Sequence, residues 1–534
     1  ASLAAAIGRS FTFGLLQAAS EDEESEVVRN LDELWQRGIV RTQGGQAYDF
    51  SHDRIREVAY GSISPVQRPL LHRRVARALE RVYADDLDAV SAQLAAHHEY
   101  AGAPEQAIRY YQRAADVAVH RFDHAGATEL LDAGLVLHKQ LPKTAQRMDQ
   151  EFAMLLAKAE SLAVFRGFAV PETAGVNMQI EALLPQIDQA KLKFRGHQRL
   201  RQFFGASGKM DKAIKHADQL LNLALQLEDP SLVCWAYQGS GLGHLQLGRL
   251  AVALDHLQRA EASYKEALAI YPEPVHMVSI ASAVPSNLAF ALLLVGYPNR
   301  ASAKVAEVVA LTERVGDPMQ LSIALFFASL VERYIRATER VAKHAGRMSA
   351  LDVQYGGIQT SRIEDLVIQG WVLAQQGRLD EGIALMRNGI DEFKAANHTM
   401  FQTHRLAWLA EAQMQAGQWE DAAATLDEGF AMSEQSGQRS GDAELHRLRG
   451  EWLVQHERYA EAEASFDQAI EIARTQAARS FELRAVMSLC RLWQRQGRRD
   501  EARTRLAEIY GWFTEGFDTA DLQEAKALLV ELAY

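Results

Sequence analysis

The sequence predicts an all-α protein: a superhelical solenoid of helix pairs with a period of about 40 residues, behind a small helical domain with a short β-hairpin. Three observations predict it. First, four segments stack at a fixed interval: Gly377-Arg-Leu-Asp-Glu-Gly382, Gly417-Gln-Trp-Glu-Asp-Ala422, Glu457-Arg-Tyr-Ala-Glu-Ala462 and Gly497-Arg-Arg-Asp-Glu-Ala502. Each has a turn residue, then polar or aromatic positions, then a small residue that opens a helix; a fixed period of about 20–50 residues marks a stacked repeat. Second, 12 prolines in 534 residues, with abundant alanine, favour long helices over strands. Third, 534 residues exceed what one compact core accommodates, so the chain is several domains or an elongated array.

Composition removes several function classes. A net charge of −12 disfavours a general grip on nucleic acid, which needs a basic surface. Cys234 and Cys490 sit far apart in apolar helical stretches and read as small buried hydrophobes, with neither a disulfide framework nor a zinc spacing. No run approaches the ~18 apolar residues of a membrane span. Residues 1–20 lack the basic lead-in and apolar block of a signal peptide. A reduced, cytoplasmic setting is the expectation. The chain opens at Ala1 inside an apparent helix, so it reads as a piece of something longer.

Residues 1–64 differ from the rest. Leu3–Ile7 and Phe11–Leu16 are apolar, and Glu21-Asp-Glu-Glu24 suits a helix N-terminus. Val27, Val28, Leu31 and Leu34 recur at helical spacing, with Gly38 as C-cap. Ile39-Val40 and Tyr48-Asp-Phe50 flank Gly44-Gly45 as a hairpin. Three small helices and a hairpin suggest a winged-helix-like unit. From Pro65 the pattern is helical almost throughout. The turn-plus-small-residue mark recurs at Gly102–Ala107, Gly208–Ala213, Gly248–Ala253 and Gly296–Ala301, with room for a degenerate unit near Ile335–Val341. Between Gly102 and Gly208 the register is irregular. The last helix starts at Asp518 or Thr519 and caps the array. The expected division is 1–64 winged-helix-like, 65–140 linking helices and first repeats, 141–518 superhelix, and 519–534 capping helix.

The aromatic and glycine pattern (Trp371 with Gly377, Trp408 with Gly417, Trp452 with Tyr459, Trp493 with Gly497) resembles tetratricopeptide (TPR) repeats, with the longer period of MalT-like regulators. Phe50-Ser-His-Asp-Arg-Ile-Arg-Glu-Val-Ala-Tyr60, Leu71-His-Arg-Arg-Val-Ala76 and His97-His-Glu-Tyr-Ala-Gly102 resemble the segment that follows the ATPase module in large bacterial AAA/STAND signalling ATPases. Leu483–Leu489, Gly497–Arg503 and Tyr510–Asp521 are similar to the same family. Those proteins carry a cyclase, kinase or DNA-binding domain first, then the ATPase, then a repeat region of this kind.

Among candidate sites, Gly205-Ala-Ser-Gly-Lys-Met210 lacks the first glycine and the Ser/Thr of a phosphate loop and fits the repeat turn instead. His97 and His98 diverge by about 100° on a helix, too far apart to share a metal. The resemblance implies that His52 reaches the β-phosphate of ADP in a full-length parent and that Asp53 caps the next helix. Lys191, Lys193, Arg195, Arg199 and Arg201 form a basic stretch that reads as a solvated helix face or as a docking patch for an acidic partner. In a solenoid the first helices line the concave face. The candidates there are Gln238, His244, Asn287, Arg362, His404, Arg405, His446, Arg447 and Arg484, a set suited to an acidic peptide or a small anion.

No constellation of base, nucleophile and orienting group stands out, so the expectation is a non-enzymatic module. It carries no cofactor of its own, ATP/ADP belonging to a full-length parent, and has a protein, peptide, acidic or small-molecule effector as partner, with no membrane. Its expected role is to sense that effector and regulate a signalling ATPase and its output domain. The alternative is a free-standing TPR scaffold without nucleotide coupling.

Overall fold

The computed structural model describes residues 1–44, 47–270, 278–355 and 359–533. Gly45 of the expected hairpin turn and Tyr534 of the expected capping helix lie outside them. The chain divides into two compact units, residues 1–162 and 163–534.

The first unit opens with α1 (Ser2–Ile7), β1 (Ser10–Thr12), α2 (Phe13–Ala19), α3 (Glu24–Gln36), β2 (Val40–Thr42), β3 (Ala47–Phe50) and α4 (Asp53–Gly61). The three strands form one antiparallel sheet in the order β1-β3-β2, with Phe11 opposite Tyr48 and Val40 opposite Phe50. Thr12 starts α2 by accepting the Leu15 N–H at 3.2 Å. Ala4, Ala5, Phe11, Leu16, Val27, Leu31, Val40 and Phe50 close a small core between sheet and helices. The helices α5 (Gln67–Val82), α6 (Ser91–Tyr100), α7 (Pro104–His120), α8 (His124–His138) and α9 (Ala145–Phe165) follow, and Leu15 and Ala19 of α2 pack on Val75, Ala76 and Leu79 of α5. His97 and His98 do diverge: His97 Nδ1 lies 2.9 Å from His72 Nδ1, while His98 stacks on Tyr110 and faces Glu80 at 3.3 Å.

The second unit is a solenoid of helix pairs. It contains α10 (Pro171–Leu183), a short 3₁₀ turn at Leu184–Gln186, α11 (Ala190–Ala206), α12 (Met210–Leu227), α13 (Pro230–Gln246), α14 (Leu250–Ile270), α15 (Val278–Val295), α16 (Pro298–Val315), α17 (Pro318–Tyr334) and α18 (Thr338–Tyr355). Next come α19 (Gln359–Gln375), α20 (Leu379–Ala395), α21 (Gln402–Gln415), α22 (Trp419–Ser436), α23 (Asp442–Gln455), α24 (Tyr459–Gln476), α25 (Arg479–Arg495), α26 (Arg499–Tyr510) and α27 (Ala520–Glu531). The pairs α11–α12 through α25–α26 each join through a tight turn.

The turn chemistry repeats. A residue with positive φ stands at Gly208, Gly248, Gly296, Gly377, Gly417 and Gly497, and at the non-glycines Arg336 and Glu457 (φ 60° and 58°). Arg336 is thus the turn of the degenerate unit. Glycine is favoured in this conformation because it has no Cβ to collide with its own backbone. Five residues later Ala213, Ala253, Ala301, Val341, Ala422, Ala462 and Ala502 are buried, which lets the second helix of each pair lie close to the first. Asp229 and Asp317 cap α13 and α17 by accepting the N–H of Ser231 and Gln320 at 3.0 Å, each followed by proline at the first helical position. Thr519 stands at the N-cap of α27, but its hydroxyl donates to Gly516 O at 2.6 Å instead of accepting a helix N–H.

Both cysteines are buried. Cys234 Sγ and Cys490 Sγ donate to Ala260 O and Ala502 O at 3.2 and 3.1 Å, and burial pushes both thiols up to about 12. They are packing residues.

Candidate functional site

Each first helix packs on the first helix of the next pair, so α11, α13, α15, α17, α19, α21, α23 and α25 form a continuous inner layer. This layer closes on itself. Ala206 O, at the end of α11, accepts Thr399 N–H at 2.7 Å, and Gln246 O, at the end of α13, accepts Arg439 N–H and Ser440 N–H at 2.8 and 3.2 Å. Leu293 O, near the end of α15, accepts the Ser480 hydroxyl at 2.5 Å. Arg336, just past α17, pairs with Asp521 at 3.1 Å and with Glu524. Every rung joins one pair to the fifth pair along, so one superhelical turn takes about five pairs.

Closure buries the concave face and its charges. Arg447 donates two hydrogen bonds to Glu444 at 3.0 and 2.7 Å. Arg484 reaches Glu444 at 3.2 Å and Glu411 at 3.3 Å, and Arg333 donates to Glu411 at 2.9 Å. Arg333 also lies over the Trp408 ring, its guanidinium carbon 4.4 Å from the centroid. Burial alone would raise Glu444, but Arg447 and Arg484 outweigh it and hold the carboxyl down at about 2. Burial lowers Arg333 to about 10 against the attraction of Glu411. A second buried pair, Arg405 with Glu364, lies beside it; Arg405 also donates to Met400 O at 2.5 Å and Gln402 Oε1 at 3.2 Å.

An aromatic relay completes the centre. The Trp408 indole N–H can only donate, and it does so to Tyr334 Oη at 3.3 Å. Tyr334 Oη also lies 2.6 Å from His404 Nδ1, and His404 Nε2 lies 3.0 Å from Ser440 Oγ, so the ring is hydrogen-bonded at both nitrogens. Burial holds His404 neutral, down at about 3. The chemistry of this centre is that of a charge-paired, hydrogen-bonded lock between helix pairs.

The concave-face candidates therefore separate. His404, Arg405, Arg447 and Arg484 are buried members of the lock, with Arg405 only 1% exposed, and are not the exposed groove residues the sequence suggested; nearby pairs supply their partners. Gln238 and Asn287 are buried too, and their side-chain oxygens have no hydrogen-bond partner among the described residues. His244 is half-buried, edge-on to His256. His446 is half-buried against Phe430, and Arg362 is exposed and paired with Glu392.

The basic stretch does not form one patch. Lys191 and Arg195 are exposed and Lys193 is half-buried. Arg199 is buried and donates to Asn177 at 3.1 Å, and Arg201 is buried against Gly239 of α13, so neither belongs to a surface. In the first unit His52 is exposed at the N-cap of α4. Asp53 is the first residue of that helix and pairs with Arg9 at 3.1 Å; its carboxylate makes no cap, which corrects the expected capping role.

Sequence reasoning missed Arg333, Glu364, Glu411 and Glu444. The signal was present in the repeat register. Thirteen residues before the turn residue stand Glu364, His404, Glu444 and Arg484; six before it stand Trp371, Glu411, Glu451 and Arg491. Of these, Glu364, His404, Glu444 and Arg484 are buried, so one register position thirteen residues before the turn carries the internal network through the later repeats.

A tetratricopeptide-repeat family model matches residues 243–274. An uncharacterised protein of Rhizobium meliloti (strain 1021) is 24% identical over 504 residues, 91% of this chain. The chain spans about half (48%) of that relative's length. Among solved structures, a Rap protein complexed with competence and sporulation factor is 14% identical, with 72% of this chain and 99% of that one covered and a TM-score of 0.49. The Cut9 and Hcn1 hetero-tetramer of the APC/C is 13% identical, with 98% of each chain covered and a TM-score of 0.44. The repeat region is TPR-like. Among the described residues no helix is long and apolar enough to cross a membrane, and no group of three or more His, Cys, Asp or Glu is placed to hold a metal ion.

Proposed function

We propose that this chain is a non-catalytic, effector-sensing and protein-interaction arm that regulates a STAND-type signalling ATPase in the cytoplasm of a bacterium. The observation that carries the reading is the closed inner layer: four rungs hold successive superhelical turns together, and a paired charge cluster ties neighbouring pairs within a turn. Such an element has a closed and an open arrangement. A protein or peptide that binds one arrangement better shifts the balance by that difference in affinity, and an attached ATPase can read the shift. An acidic effector would have to displace Glu411 and Glu444 from their arginines, so an anion is a poor occupant for this part of the layer.

The first unit supports the same reading. Its order of helix, strand, two helices and hairpin, with the sheet β1-β3-β2, supports reading it as a winged-helix-like unit, and the Ser51-His-Asp53 segment joins the hairpin to α4. In a full-length parent, His52 is the residue we assign to the nucleotide's phosphate.

The test uses the full-length parent. Glu444→Lys breaks the lock from the inside, and His52→Ala removes the phosphate contact. The expected results are a change in ATP turnover or output for Glu444→Lys and weaker ADP binding for His52→Ala. Unchanged nucleotide affinity and output in both variants, with partner capture intact, would establish the free-standing scaffold instead.

A further inference from the structure

The structure builds a second, different site on the outer side of the first helix pair of the solenoid. A cleft of about 490 Å³ opens between α10, the 3₁₀ turn at Leu184–Gln186, α11 and α12. Lys193 and His197 reach it from α11, four residues apart on one face. Lys212, Lys215, His216 and Gln219 reach it from α12, again at helical spacing. Glu181 is the sole carboxylate in its wall, and it pairs with Lys212 at 2.9 Å. Lys193 and Lys215 have no ion-pair partner among the described residues. Leu184, Pro185 and Leu223 supply the apolar part of the wall.

The two histidines are joined, His197 Nδ1 to His216 Nδ1, at 2.9 Å. One ring must donate and the other accept, so the neutral pair keeps one Nε2–H and one bare Nε2. A further proton turns both Nε2 atoms into donors. Burial, His216 and Lys193 hold His197 down at about 4. His216 is held down by burial and by Lys212 and Lys215, with only Glu181 opposing. A multiply charged anion above these lysines opposes their effect on the pair and favours its protonated form. Phe204, stacked on His216 at 5.5 Å and under Lys212 at 4.6 Å, fixes the floor. A volume of about 490 Å³ falls within the range of small-ligand pockets, roughly 300–1,000 Å³.

We propose that this cleft binds the phosphate groups of a small molecule through Lys193, Lys212 and Lys215, and that binding takes up a proton on the His197–His216 pair. It is independent of the inner layer and of any ATPase.

Calorimetric titration of the chain with pyrophosphate, in two buffers of different ionisation enthalpy, tests it. Saturable binding, tenfold or more weaker in Lys193→Ala/Lys215→Ala, with net proton uptake at pH 7 and affinity that rises toward pH 6, is the expected result. A phosphoserine peptide is the comparison arm; tighter binding of the peptide than of pyrophosphate overturns the small-molecule assignment. Absence of saturable binding, or binding equal in the double variant, overturns the site. His216→Gln keeps a polar ring-sized group, and loss of proton uptake in that variant, with binding retained, identifies the histidine pair as the acceptor. Uptake unchanged in His216→Gln overturns that part.

Discussion

Arg201→Met should stabilise the protein. Arg201 is only 7% exposed, and among the described residues it has neither carboxylate nor hydrogen-bond acceptor, its Nε being without a partner. Burial alone pulls it from 12.5 down to about 10, which corresponds to about 3 kcal/mol of cost for keeping the charge. Arg333, Arg447 and Arg484 are equally buried, but each faces Glu411 or Glu444. Methionine removes the charge and keeps most of the stem that packs by Gly239. Replacing buried charge by apolar volume typically gains about 1–4 kcal/mol, so an increase of about 2 kcal/mol is expected. The same change at Arg333 should go the other way by about 3–5 kcal/mol, since Glu411 loses one of its counter-charges in a buried setting. Urea unfolding of both variants beside the parent measures this, with the midpoint read at constant slope. A loss of more than about 1 kcal/mol in Arg201→Met would refute the reading of Arg201 as an uncompensated buried cation.

The same logic reaches other positions. His398→Phe should stabilise by about 1 kcal/mol in urea unfolding, because both ring nitrogens lack partners while the ring sits near Phe168 and Phe393. Stability should fall as pH drops below about 6.5. His398 and His404 are each held down at about 3, so the unfolded chain takes up their protons first; each contributes about 2 kcal/mol of loss between pH 6.5 and 5, seen as a falling urea midpoint. Glu444, held at about 2, adds its own loss only as pH falls from about 4.5 toward 2. Gly370→Ala should cost about 3 kcal/mol or more, since its new Cβ would stand 2.6 Å from Gly382 O and 2.8 Å from Met386 N, backbone atoms that cannot turn aside; thermal unfolding reads it.

The repeat was legible because its turns are local. A left-handed residue followed five positions later by a small one is written in neighbouring amino acids, and Gly208, Gly248, Gly296, Gly377, Gly417 and Gly497 all stand where the spacing puts them. The apparent phosphate loop at Gly205–Met210 is such a turn, with Gly208 at φ 70°. What was not legible is which face becomes interior. His404 and Arg405 look like solvent-facing polar residues when only their own helix pair is considered. They are buried because other pairs meet theirs: His404 contacts Tyr334 and Phe290, two and three pairs back, and Arg405 pairs with Glu364 of the preceding pair, contacts that no single repeat encodes. Arg199 and Arg201 were grouped with Lys191, Lys193 and Arg195 by proximity in sequence, yet successive residues of one helix face different neighbours. The helix thus divides between a lysine–histidine cleft and the buried contact with Gly239.

The ladder also shows what sets the pitch. The interval from Gly248 to Gly296 is 48 residues where the others are 40 or 41, and it lies between the second and third rungs. If residue count fixed the register, every rung beyond that point would miss its partner. Leu293 nonetheless meets Ser480, and Arg336 meets Asp521, just as Ala206 meets Thr399 and Gln246 meets Arg439. The rungs therefore depend on position relative to the turn of each pair, the end of one first helix against the start of another. Length added elsewhere in a repeat leaves them in place. The charged inner positions follow the same rule, since Glu444 and Arg484 stand thirteen residues before their turns and meet across adjacent pairs. The rungs and the charge pairing of neighbouring pairs thus share one coordinate, the position relative to each pair's turn.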